Sequence, residues 1–421
     1  MNYKTTFLMA IIVTMGVASI FADEWQFKGL AGRKVISLAA DPDNDQNICA
    51  GTDSGLYVSF DGGDNWDARI SIEHNFPDLA YPPLANDTIL ALASDGAVSN
   101  GLYYSNTAGN SWSMISALNN PRRMGFDPVN PGFMYICFSD GILKSQNYGL
   151  NVSSANNGLP GFNILDVVGD GVHGFEAYAV GSNFLAHTTD FGNIWTEING
   201  QFDVLNHNPY RLAFNPNGPE TLYVTCYAYF ARSVNGGLTW NYTEMTALEI
   251  TPIVCDPEVP GRLFVGSAAG GGVFISTNAG LSFVAINNNL GDQHVHSLEL
   301  NANGGLLAGT DDGIYYLAPP IGINETGPDL PMSITLKQNY PNPFNDHTII
   351  EIDINEPENC RVDIYDIAGR LVRQLYTGEG GHRILPWDGA DDKGQVVSSG
   401  MYFYRLKTAD NTICKRMTYL K

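Results

Sequence analysis

Positive charge is scarce in this chain. Twenty-two lysines and arginines stand against 44 aspartates and glutamates over 421 residues, a net charge of −22. The deficit is uneven. Residues 23–333 hold 32 acidic and 10 basic side chains (32 − 10, a net of −22), whereas residues 334–421 hold 12 and 11, a net of −1. A surface so short of Lys and Arg cannot neutralise phosphates, which excludes nucleic acid and anionic membranes as partners. Cations, neutral sugars and basic proteins remain. Metal-type cysteine pairs are also missing. Cys49, Cys137, Cys226, Cys255, Cys360 and Cys414 form no CxxC and have no zinc-ligand spacing with His. Most sit in apolar runs such as Tyr135-Ile136-Cys137-Phe138 and read as small buried hydrophobes. GxSxG, HExxH and P-loop motifs are absent, as is any long helical period in the chain after its leader.

Long hydrophobic runs are absent too, with one exception at the start. Lys4 supplies a positive flank, Phe7 to Phe21 is apolar but short for a bilayer, and Ala22 suits cleavage before Asp23. Residues 1–22 therefore read as a secretory signal peptide. The alternative, a membrane anchor, lacks a positive stop-transfer flank. No Cys stands at the cleavage point for lipidation, and no later stretch is apolar enough to span, so the expected mature chain is soluble and exported.

What is present is repetition. Gly55-Leu-Tyr-Val-Ser-Phe-Asp-Gly-Gly-Asp-Asn-Trp66 returns at 101–112, 141–152, 184–195, 229–240 and 272–283. The closing positions are 66, 112, 152, 195, 240 and 283, spaced as the roughly 40–45 residues of a four-stranded propeller blade require. In the first unit, strands are predicted at Val35–Ala40, Asn47–Gly51, Leu56–Ser59 and Asn65–Ile70. Turns at Asp41-Pro42, Asp127-Pro128, Asn215-Pro216 and Asp256-Pro257 join first strands to second. Ala50-Gly-Thr-Asp-Ser-Gly55 recurs as Ala308-Gly-Thr-Asp-Asp-Gly313, so a seventh unit exists, with its third strand at Ile314–Leu317 and no fourth. Trp25 is in phase with Trp66. The segment 24–30 is therefore expected to supply the missing strand and close the ring, leaving no exposed edge. The reading is all-β: a seven-bladed β-propeller over 23–318, a Pro/Gly-rich linker at 319–333, and a small immunoglobulin-like β-sandwich over 334–421.

The repeated hairpin resembles the Asp-box, or BNR repeat. Ser59-x-Asp61-x-Gly63-x-x-Trp66, Thr188-x-Asp190-x-Gly192-x-x-Trp195 and Ser233-x-Asn235-x-Gly237-x-Thr239-Trp240 carry it, while the second, third and sixth copies keep Gly109, Gly149 and Gly280 without the Asp. Asp61 or Asn235 can accept amide bonds within its turn, Gly63 permits positive φ, and Trp66 offers a large packing face. These roles are structural. The resemblance, to a group that includes sialidases, sortilin-type receptors, xyloglucan-cleaving glycosidases and photosystem assembly factors, implies a propeller and no particular activity.

Residues 336–421 resemble the type A C-terminal sorting domain of the type IX secretion system. The residues are Asn339-Tyr340-Pro341-Asn342-Pro343-Phe344 after Leu336 and Gln338, then Val362-x-Ile364-Tyr365-Asp366, Gly369-Arg370, Trp387-Asp388-Gly389 and Gly400-x-Tyr402-x-Tyr404. Asp346 stands where that family usually has Pro. The resemblance implies the secretion machinery as partner and a destination in the medium or on the outer cell surface.

Chemistry is harder to find. On the face that the propeller resemblance implies for ligands, opposite the Asp-box hairpins, the loops between second and third strands carry Asp53, Asp95, Asp140, Asp311 and Asp312. Inter-blade loops carry His74, Phe76, His207, Tyr210 and His294. Carboxylates there could act as acid and base on a glycoside or hold calcium, but Thr-Asp-x-Gly is also plain turn chemistry. Only seven arginines in the propeller, without an Arg-Ile-Pro motif, argue against a sialidase. His294-Val295-His296 lacks an evident third ligand, so no metal is expected there. The resulting expectation is a propeller without cofactor that binds protein or glycan. The alternative is an extracellular glycoside hydrolase using rim carboxylates.

Overall fold

The computed structural model describes residues 24–319 and 334–420, apart from the short segments 71–74, 84–86, 95–99, 131, 172, 199–201, 203–206, 217, 219, 338, 343, 355–358, 367–369 and 409–411. The leader at 1–22, His74, Asp95 and Pro343 lie outside the described residues. The chain divides into two compact units, 1–322 and 323–421.

The first unit contains seven four-stranded antiparallel sheets, which makes it a seven-bladed propeller. The innermost strands, one per blade, are Val35–Asp41, Asn75–Ala80, Pro121–Phe126, Ile164–Gly169, Pro209–Phe214, Ile250–Cys255 and Val295–Leu300. Each packs against the next, and the last packs against the first, so the ring is closed. Second strands are covered on both faces by neighbouring blades and are accordingly apolar along their length. Leu222–Cys226 and Leu263–Ser267 are buried at every position. Outer strands such as Ser113–Ala117 have no fully buried residue.

The last blade takes its outer strand from the other end of the chain. Gln26 and Phe27 pair with Tyr316 and Tyr315. This strand is shorter than the expected span 24–30, because Gly29 and Leu30 turn to φ of 111° and 60° and leave the extended region. Trp25 is buried, and its indole Nε1 donates to the Ile286 carbonyl of blade 6 at 2.6 Å. Trp66 Nε1 reaches Lys28 O at 2.7 Å and Trp195 Nε1 reaches Ala155 O at 2.8 Å. Each acceptor is the residue just past the outer strand of the preceding blade.

The second unit packs a three-stranded sheet (Ile334–Leu336, Thr348–Ile354, Arg383–Trp387) and a four-stranded sheet (Leu371–Glu379, Asn359–Asp366, Gly400–Lys407, Thr412–Tyr419) around one apolar core. Ile350, Ile352, Val362 and Ile364 alternate into it, and Trp387 and Tyr404 fill its centre. No helix among the described residues is long and apolar enough to cross a membrane.

Candidate functional site

Every innermost strand departs from strict pairing near its start, as between Ile164 and Asp166 or between Pro209 and Arg211. A bulge re-aims the side chain that follows it. Charged side chains then enter the central channel, a cavity of about 320 Å³. Blades 2 to 5 contribute Asp78, Arg123, Asp166 and Arg211 in order, acid alternating with base, and blade 7 adds His296 and Glu299. Apart from His296, weighed as half of a histidine pair, none of these residues was read as a site in the sequence. The available signal was a charge within a largely apolar first strand, single in blades 2, 4 and 5 and doubled at Arg122-Arg123 in blade 3.

The channel carboxylates serve the fold. Asp78 Oδ1 takes an ion pair from Arg123 at 2.9 Å, and Oδ2 accepts the Met124 amide of the next blade at 2.7 Å. Asp166 accepts its own following amide, Val167, at 2.9 Å and the next blade's Leu212 amide at 3.0 Å. Burial pushes the Asp166 carboxyl up to about 7 against the pull of Arg123 and the Leu212 amide. Burial likewise raises Asp78, and it pushes Glu299 up to about 8 although the Ala40 amide bonds to it.

The rim residues named from sequence do not converge. Asp53 and Asp140 are exposed, and the Ser139 hydroxyl donates to Asp140 at 3.1 Å. Asp312 Oδ1 accepts the Gly32 amide, and Asp311 Oδ1 meets Lys34 Nζ at 3.1 Å and His296 Nε2 at 2.8 Å. Two expectations about the inter-blade loops need correction. Phe76 belongs to the innermost strand of blade 2 and is fully buried against Tyr103, because it fills the space beside Gly51. Tyr210 is likewise on an innermost strand. His207 stacks on Tyr242 with ring centroids 4.2 Å apart.

The Asp-box hairpins hold themselves together. Asp61 Oδ1 accepts the Asn65 amide at 2.8 Å and the Ser59 hydroxyl at 2.9 Å, and Asp190 repeats this with Ile194 and Thr188. Asn235 Oδ1 accepts the Thr239 amide, and Gly63, Gly192 and Gly237 all take positive φ. Trp240 Nε1 caps Gly237 O at 3.0 Å and its ring lies against Phe202.

In the second unit the sorting motif is partly core. Asn339 and Phe344 are buried, while Tyr340, Pro341 and Asn342 are exposed. Tyr404 Oη donates to Lys337 O at 2.9 Å and accepts the Asn339 amide at 2.8 Å. Phe344 packs on Trp387 and Tyr419.

The molecule is thus a β-propeller joined to a small β-sandwich tail. Residues 338–419 match the family model of the secretion system C-terminal sorting domain, the type IX sorting tail, which marks the chain for export to the cell surface or the medium. A xyloglucanase of a Paenibacillus species is 28% identical over 239 residues, covering 50% of this chain and 22% of that protein. The chain therefore spans about a fifth of the length of this curated relative. Among solved structures, YCF48 from Cyanidioschyzon merolae superposes with a TM-score of 0.54 at 13% identity, covering 70% of this chain and 99% of that one. An ancestral GH74 enzyme gives 0.56 at 15% identity, covering 94% and 63%. Both likenesses speak to the fold alone.

Proposed function

We propose that the protein is a binding module for a protein or glycan, delivered outside the cell by its tail, with residues 1–22 as its signal peptide and 319–333 as its linker. One observation carries this reading. The carboxylates best placed for chemistry are engaged by the chain's own groups: Asp78 and Asp166 by the next blade's amides, and Asp311 and Asp312 by Lys34, His296 and Gly32. On the same end of the propeller as Asp311, Phe162, Tyr227 and Leu248 stand exposed, offering apolar contact area without an acid/base pair.

The competing reading is a glycosidase, and the match to the xyloglucanase favours it. Its chemistry needs two carboxylates flanking a bond, about 5–9.5 Å apart. The purified protein should be incubated with a panel of plant polysaccharides, xyloglucan included, and in parallel passed over immobilised glycans and cell-surface proteins. Retention without release of reducing sugar is expected. Release that disappears when Asp140 or Asp311 is changed to Asn would overturn the binding reading.

A further inference from the structure

We propose that Asp292, His294 and Asp311 form a site for one divalent transition-metal ion of the zinc class at the rim of blade 7. His294 and His296 alone offered no third ligand in the sequence. Folding supplies two. Asp292 comes from the loop entering blade 7 and Asp311 from the turn between its second and third strands, and one ligand atom from each of Asp292, His294 and Asp311 lies within 4.8 Å of the others. Modest side-chain rotations bring such a set to a shared ion at roughly 2.0–2.2 Å from each ligand.

A second observation is independent of that proximity. Asp292 Oδ1 is engaged by the His294 amide at 3.1 Å and by His294 Nδ1 at 2.9 Å. Its other oxygen, Oδ2, is sealed from solvent and has no hydrogen-bond partner among the described residues. A buried carboxylate oxygen without a donor is costly, and an ion or water is the usual answer. Asp311 is already oriented by His296, whose Nε2 contacts Oδ1 at 2.8 Å, a supporting contact of the kind that fixes metal-binding carboxylates. Lys34 Nζ also sits 3.1 Å from that oxygen, on a side chain 44% exposed and free to swing out. It is a cation standing beside the place where the metal would sit.

The donor set selects the ion. Calcium takes about 6–8 oxygen ligands and avoids imidazole, whereas two carboxylates with a histidine suit zinc and leave a position open to water or to a ligand oxygen. The cluster Asp170, His173 and Glu176 on blade 4 also brings its ligand atoms close. There, however, both oxygens of the buried Asp170 are engaged, Oδ1 by the His173 amide at 3.1 Å and Oδ2 by His173 Nδ1 at 3.3 Å. That cluster serves as the internal control.

The test is calorimetric titration of the chelator-treated full chain with zinc chloride, with calcium chloride in a parallel arm. One zinc per chain is expected. His294→Ala and Asp292→Asn should each weaken it at least tenfold, His173→Ala should leave it unchanged, and Lys34→Ala should tighten it. His294 is half exposed, so its variant keeps the fold, and matching melting curves in chelator confirm this. No zinc uptake, or uptake indifferent to His294→Ala and Asp292→Asn, overturns the site. Calcium binding in place of zinc overturns the ion class.

Discussion

The indole nitrogen of Trp25 donates to the carbonyl oxygen of Ile286 across 261 residues of sequence, at 2.6 Å. The same bond joins Trp195 to Ala155 between consecutive blades of the unbroken chain. The seam of the ring is therefore built like the joints at Trp66 and Trp195. Trp25→Ala should destabilise the propeller by about 3–5 kcal/mol, the usual range for losing a buried Trp. Deletion of 24–30 should also broaden its unfolding transition. An unchanged melting curve for the deletion would show that the seam does not hold the ring.

Trp195 is nearly fully buried between blades 3 and 4, with its ring 5.9 Å from that of Tyr135. Trp195→Ala should lower stability by about 3–5 kcal/mol, and Asp190→Ala should lower it less. Neither should change the affinity for any ligand taken at the opposite face. Equilibrium unfolding in urea beside a binding isotherm separates the two. Normal stability with lost binding would assign these hairpins to the ligand.

Asp166 and Glu299 titrate near 7 and 8 in the folded state because burial penalises their charged forms. Unfolded, both titrate near 4. The unfolded state thus sheds these protons first as pH rises, and their contribution to stability is full below about 4 and falls until pH passes 8. Arg123, Asp78, Arg211 and His296 share the channel and set the size of the effect. The urea midpoint should be higher at pH 6 than at pH 8.5, and Glu299→Gln should flatten the difference. A midpoint that rises with pH over this interval would contradict the burial argument.

In the tail, Tyr404 ties the Lys337 carbonyl and the Asn339 amide together under the exposed Tyr340-Pro341-Asn342 turn. Tyr404→Phe removes both bonds, at a cost of about 1–3 kcal/mol. A reporter carrying a Sec signal and residues 334–421 should reach the medium or the surface in a host with type IX secretion, and less of it should arrive with Tyr404→Phe. Quantitative blotting of periplasm, surface and medium reads this out, and periplasmic retention of the unmodified fusion would refute a sorting role.

The blades could be counted in the sequence because each hairpin repeats a strand, a turn Gly and a closing aromatic or apolar residue at intervals of 40 to 46 residues, and Trp25 lies 41 residues before Trp66. The channel charges could not. Arg123 and Asp166 follow bulges, where simple in-out alternation misassigns the face. Phe76 was misread for the same reason, since a strand beginning at Asn75 next to polar residues looks like loop. Asp292 and Asp311 meet only because a turn returns the chain to the place where it entered the blade.

Units that share one architecture have no inherent order, and a ring of them could be assembled in many sequences. The channel removes that freedom. Asp78 faces Arg123, and Asp166 lies between Arg123 and Arg211, each carboxylate also grasping the amide of the unit that follows. Exchanging blades 3 and 4 would set Asp78 beside Asp166 and Arg123 beside Arg211, like against like in a cavity too small for water to screen them well. The inner wall thus acts as a key to the blades' permutation, and a chain rebuilt from shuffled repeats would keep every hairpin and still fail to close.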